Sequence, residues 1–144
     1  MTFVSDSLIT SVVKDEVGNL GTKILSVQLA NSKTIRIANV YHRITNPTTS
    51  AELKKLSDLV GRSGLILGDF NAHSSLWDDL ANHSDSHGSL VQDWVESQGL
   101  IVLNDGNPTH YNLCHGTWSA LDLAIVTPDL AQDCEWAVSD DSWG

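Results

Sequence analysis

Residues 65–70, LILGDF, are apolar on both sides of an extended chain, and a strand of that kind needs cover on each face. It belongs inside a layered domain, and its neighbours supply the layers. Before it, in 42–64 (HRITNPTTSAELKKLSDLVGRSG), Thr49 and Glu52 have capping-box spacing, and Leu53, Leu56, Leu59 and Val60 form a one-sided stripe ahead of Gly61. That is an amphipathic helix. Further back, KILSVQLA (23–30) and KTIRIANVY (33–41) alternate in polarity across Asn31-Ser32 and read as an antiparallel hairpin. FVSDSLITSVV (3–13) reads as one or two edge strands, and KDEVGNLG (14–21) as a turn.

After the central strand, GSLVQDWVESQG (88–99) predicts a second helix with Leu90, Val91, Trp94 and Val95 on one face and Gly99 as its terminator. Strands are expected over LIVLN (100–104) and ALDLAIV (120–126), the last closed by Pro128, with loops around Gly106, Pro108 and Gly116 between them. Strands alternating with helices give an α/β fold, layered around a mixed sheet or two packed sheets, with residues 1–144 as one domain. The element order alone does not decide the topology.

Hydrophobic residues make up 41% and charged residues 18%, a composition that folds. No apolar run reaches the roughly 18 residues of a membrane span, and MTFVSDSLIT lacks a basic start and apolar centre, so an intracellular, membrane-free address is expected. Cys114 and Cys134 lack CxxC spacing and read as reduced thiols. With 8 Lys and Arg against 18 Asp and Glu, the formal charge of -10 argues against a simple nucleic-acid clamp. It leaves room for an acidic site bridged to phosphate by a divalent cation, whose charge reverses the local field.

The central strand runs into GDFNAHSSLWDD (68–79), where Asp69, Asn71 and His73 fall at every second position and can project on one side of an extended chain. Carboxylate and amide oxygens suit Mg²⁺, and the amide nitrogen can donate to a phosphate oxygen. The plainer alternative is an Asx turn beside a flexible Gly68. His83 and His87 have the spacing of helical metal ligands, but DDLANHSDSHG is polar and loop-like, so neither that pair nor Cys114-His115 is assigned a metal. Trp94 is read as core; Trp118 stands before a strand, with surface and core roles both open; Trp136 and Trp143 are expected to be exposed.

GDFNAHSSLWDD resembles the central signature of the endonuclease/exonuclease/phosphatase superfamily, in the form found in the endonuclease domain of non-LTR retrotransposon polyproteins. IRIANVYHRITNP resembles that family's strand ending in Tyr; HGSLVQDWVESQGLIVLNDGNPTH its helix, strand and Thr-containing turn; and GTWSALDLAIVTPDLA the segment with its third acidic residue. The resemblance implies that Asp69 orients or deprotonates the attacking water, that Asn71 and Tyr41 approach the scissile phosphate, and that Asp122 is a buried carboxylate orienting a His. Asp69 and Asn71 would hold Mg²⁺, or Mn²⁺ in its place. His73, Trp77 and Trp118 would face substrate. The implied activity is nicking of target DNA, in the nucleus, to prime a reverse transcriptase domain of the same polyprotein.

Two parts of the family pattern have no match: an upstream Asn strand and metal-binding Glu segment, for which Glu16 is the only acidic residue of its type, and a Ser-Asp-His motif, since neither Asp140 nor Asp141 precedes a His. The resemblance therefore implies a partial domain, incomplete at both ends, with a bare apolar sheet face prone to self-association and weak or no catalysis alone. A phosphodiesterase or phosphatase of another branch, or a non-catalytic remnant, are the rival readings.

Overall fold

The computed structural model describes residues 8–139. Its elements are β1 (Ile9–Val17), β2 (Leu20–Gln28), β3 (Thr34–Tyr41), α1 (Ser50–Val60), β4 (Gly64–Asp69), α2 (Ser86–Gln98), β5 (Ile101–Val102), β6 (His110–Asn112), β7 (Thr117–Ser119) and β8 (Asp122–Val126), followed by a 3-10 turn at Ala131–Asp133. One six-stranded sheet runs β1-β2-β3-β4-β8-β5, and β6-β7 is a separate hairpin. Among the described strands of this sheet only β3 and β4 pair in parallel, joined by α1 as the crossover; its other strand pairs are antiparallel. The sheet is mixed, and the fold is α/β.

The first hairpin corrects the reading of 14–21 as a turn throughout: only Gly18 and Asn19 turn, Gly18 at φ 60, and Glu16 pairs within β1 opposite Gly21. Residues 3–7 of the expected edge strand, with Asp140, Asp141 and Trp143, lie outside the described residues. Between β2 and β3 the reversal takes Leu29–Lys33 and not two residues, closed by Leu29 N–H to the Lys33 carbonyl at 2.8 Å. Asn31 and Ser32 are its tip, and Ser32 takes φ 63.

Helix α1 starts with the predicted capping box: the Glu52 N–H donates to Thr49 Oγ1, and the Thr49 N–H donates to the Glu52 carboxylate at 2.8 Å. The other carboxylate oxygen accepts the Asn19 N–H at 2.7 Å, tying the first turn to the helix and holding the Glu52 carboxyl below its usual range. Helix α2 is capped by Asp85 and ends on Gly99 at φ 62, the left-handed residue of its C-terminus. The strand expected over 100–104 is paired only at Ile101–Val102. Beyond it the Asn104 side chain substitutes for backbone, donating to the Asp122 carbonyl at 2.9 Å and accepting the Ala124 N–H at 2.9 Å.

Both helices cover one sheet face, where Ile24, Ala38, Val40, Ile66, Leu123 and Ile125 pack with Leu53, Leu56, Val60, Val91, Trp94 and Val95. Each fully buried aliphatic contributes about 1.5–3 kcal/mol of transfer free energy. The opposite face is not uniformly bare. Leu25, Val27 and Ile35 are buried there with Leu130, and Cys134 packs beside them, so the segment after β8 covers one end. The other end stays open: Leu67, next to Asp69, is 36% exposed. Trp136, expected to be exposed, is half-buried in that covering segment. Cys114 and Cys134 are free thiols.

Candidate active site

Side-chain alternation along β4 sends Ile66 to the helices and Leu65, Leu67 and Asp69 to the other face. Register then builds a row. Tyr41 on β3 and Asp122 on β8 each stand opposite Asp69, and Gly21 on β2 stands opposite Tyr41. Three polar side chains from three adjacent strands therefore line up at the ends of their strands, Tyr41 and Asp122 each one strand spacing of about 4.8 Å from Asp69 on either side of it. Gly68 lets β3 and β4 approach here; at φ 140, a Cβ on it would fall on the Val40 carbonyl.

Past Asp69 the chain turns through a short hydrogen-bonded knot. The Asn71 N–H donates to Asp69 Oδ1 at 2.9 Å, which is the Asx turn that the spacing left open, and Asn71 adopts φ 46. Asn and Asp enter the left-handed region more readily than other non-glycine residues. The Asn71 side-chain amide donates to the His42 carbonyl at 2.8 Å, while the His42 N–H donates to the Asp69 carbonyl at 2.8 Å. Phe70 and Ala72 are fully buried on either side of Asn71, and His73 follows half-buried, so burial keeps alternating through the turn. The Asx turn and the candidate site thus share the same residues.

A stack of two imidazoles braces this knot from behind. His42 and His87 lie with ring centroids 3.9 Å apart at an interplanar angle of 23°, and His42 Nε2 is 2.9 Å from the Asn46 carbonyl. Burial, and then His42, hold the His87 ring below its ordinary pKa. His83 is exposed in the loop, whereas His87 is half-buried. On the other flank, Thr109 Oγ1 accepts the N–H groups of Leu121 and Asp122 at 3.1 and 3.0 Å and sets where β8 begins.

Burial raises the Asp69 carboxyl above the ordinary carboxylate range, opposed by the Asn71 N–H. Neighbouring Asp122 adds to the rise and His110 counters it. His110 is the site residue that the sequence reading missed. It sits one position after Thr109, on the hairpin β6-β7, whose strands of three residues each are too short to show a period in sequence.

Two clefts meet at Asn71. One of about 390 Å³ is lined by Tyr41, Arg43, Ile44, Thr45, Asp69 and Asn71. The other, of about 740 Å³, holds Asn71, His73, His110, Asn112 and Trp118 among its walls. Trp118 is 54% exposed and leans on Tyr111 with centroids 4.7 Å apart, so of its two readings the surface one describes the fold. Trp77 is corrected: expected to face substrate, it is fully buried, its Nε1 donating to the Ala72 carbonyl at 3.2 Å. An indole locked under the loop shapes Ala72–Asp78 and cannot reach a ligand.

A similar fold occurs in the endonuclease domain of TRAS1, a telomere-specific non-LTR retrotransposon, with a TM-score of 0.77 at 20% identity over 94% of this chain. The chain spans 61% of that domain's length. No curated protein sequence matches closely enough to count as a relative. The sequence model of the endonuclease-reverse transcriptase family matches residues 35–144, a stretch that contains Tyr41, Asp69, Asn71 and Asp122. The chain therefore belongs to the endonuclease-reverse transcriptase family.

Proposed function

We propose that this chain carries the Asp69 half of a metal-dependent DNA endonuclease site, which nicks target DNA so that a reverse transcriptase domain of the same polyprotein can extend the new end. The reading rests above all on the row of Tyr41, Asp69 and Asp122 with Asn71 at its rim. A carboxylate raised by burial takes up a proton more readily than an exposed one, so Asp69 draws the proton from the attacking water. The Tyr41 hydroxyl and the remaining Asn71 amide hydrogen donate to the phosphate oxygens as charge grows on them. Water adds to phosphorus, the bond to the 3′ oxygen breaks, and that oxygen takes a proton from solvent to become the 3′ hydroxyl that priming needs.

Among the described residues no three His, Cys, Asp or Glu gather as a ligand set. The adjacent carboxylates of Asp69 and Asp122 with the Asn71 amide oxygen still fit Mg²⁺, or Mn²⁺, which take one or two carboxylates and complete their shell with water and phosphate oxygens. When bound, the ion would offset negative charge on the phosphate and the leaving oxygen. No helix among the described residues is long and apolar enough to cross a membrane, and a nuclear address follows from the proposed substrate.

Because the chain spans 61% of the similar domain, we expect it to act weakly or not at all by itself. The test is nicking of supercoiled plasmid with Mg²⁺ by this chain and by a version extended at both ends. Activity in the extended form that falls by about 10²-fold or more with Asp69→Ala supports the reading. Equal nicking by Asp69→Ala would overturn the role of Asp69, and none by the extended form would leave the non-catalytic remnant as the better description.

A further inference from the structure

We propose that the turn Arg43–Asn46 is a wall of the DNA groove, with the Arg43 guanidinium holding a backbone phosphate beside the one being cleaved; this rests on the endonuclease reading. The turn is built and not slack. The Asn46 N–H donates to the Arg43 carbonyl at 2.9 Å, His42 Nε2 meets the Asn46 carbonyl at 2.9 Å, and Asn19 Nδ2 donates to the Pro47 carbonyl at 3.0 Å. It stands over the Asp69–Asn71 knot, with Ile44 at its crest.

Arg43 lines the cleft that holds Tyr41, Asp69 and Asn71, and also an adjoining one of about 210 Å³ with Glu16, Gly21, Tyr41 and Asn46. It is the only Lys or Arg among the described residues lining these clefts and the one that holds His73 and Trp118. Three of the other cations are engaged elsewhere: Arg36 donates to the Leu59 carbonyl, Lys33 pairs with Asp129 and Lys54 with Asp58. The Arg43 side chain is exposed and has no bonding partner among the described residues. On a chain of formal charge -10, a phosphate finds few such forks, and a guanidinium can meet one with two parallel hydrogen bonds.

Position narrows the choice of phosphate. Tyr41 and Arg43 line both clefts, so a phosphate on Arg43 sits beside Tyr41, between the carboxylates of Glu16 in the smaller cleft and Asp69 in the other. Gly21 leaves the floor beside Tyr41 without a side chain, which keeps room for the strand to pass. Ile44 is 79% exposed, lines both clefts at Asn71 and faces the Trp118 wall across the larger one.

The experiment is fluorescence anisotropy of a short labelled duplex with the 144-residue chain, titrated between about 50 and 200 mM salt. Arg43→Ala is expected to weaken binding about tenfold at the low-salt end and to reduce the slope of log affinity against log salt by about 0.9. Arg43→Lys should keep the slope. Arg62→Ala removes the same charge at the opposite end of β4 and should change neither quantity. Unchanged binding by Arg43→Ala, or an equal loss with Arg62→Ala, overturns the inference and leaves the endonuclease reading standing. Failure of the unmodified chain to bind duplex overturns the inference for this chain, while plasmid nicking by the extended form decides the endonuclease reading separately.

Discussion

Asp69 sits at a position where function and stability pull apart. Its folded-state pKa is raised by burial, so the folded chain holds this proton more tightly than the unfolded one. Stability from that proton is complete below the unfolded value and is lost as pH rises through the folded one, so at neutral pH the ionised group is a cost. Asp69→Asn should therefore raise the melting temperature at pH 7 by about 1–3 °C, a small gain because the group is partly solvated, and give none near pH 3. Calorimetry at the two pH values checks this; a lower melting point at pH 7 would sink it. Asp69 and Asn71 were legible as candidates from residue types at a two-residue spacing, and Asp122 from the resemblance of its segment. The role of His110 was not, because no local pattern says that a side chain 41 positions along the chain from Asp69 will stand near it.

At the scale of elements, the clearest local signals were the caps. The box of Thr49 and Glu52 and the stop at Gly99 rest on hydrogen bonds and dihedral preferences that close within a few residues, so sequence carries them whole. Glu52 does one thing that the box does not reveal: it also binds the Asn19 N–H in the β1-β2 turn. Glu52→Ala should then cost more than Thr49→Ala, about 2 against about 1 kcal/mol in urea unfolding, since it frees donors in two elements. Equal costs would mean that the link to Asn19 contributes nothing. The misses were the facing ends of β1 and β2, taken for a turn, and the short elements. The β6-β7 hairpin and the two-residue β5 have too few positions to show a period, and Asn104 finishes the β5 ladder with a side chain.

For the whole molecule, the sheet has one face closed by helices and another that is covered only in part. The segment with Leu130 and Cys134 seals the end holding Leu25, Val27 and Ile35, while Leu67 stays 36% exposed beside the site. That open end is where we expect copies to associate. Leu67→Lys should shift the chain toward monomer in analytical ultracentrifugation, and a wild-type chain that stays monomeric at high concentration would refute the expectation. What the sequence by itself determined was local: the long strands and helices, their caps, and the motif residues, because alternation, capping and turn chemistry act over a few neighbours. Tertiary structure alone decided the parallel pairing of β3 with β4, the register that aligns Tyr41, Asp69 and Asp122, the burial of Trp77 and the exposure of Trp118. Those depend on which distant strand a segment meets and which side chains the second layer leaves uncovered, and such contacts leave no trace in the spacing of a single chain.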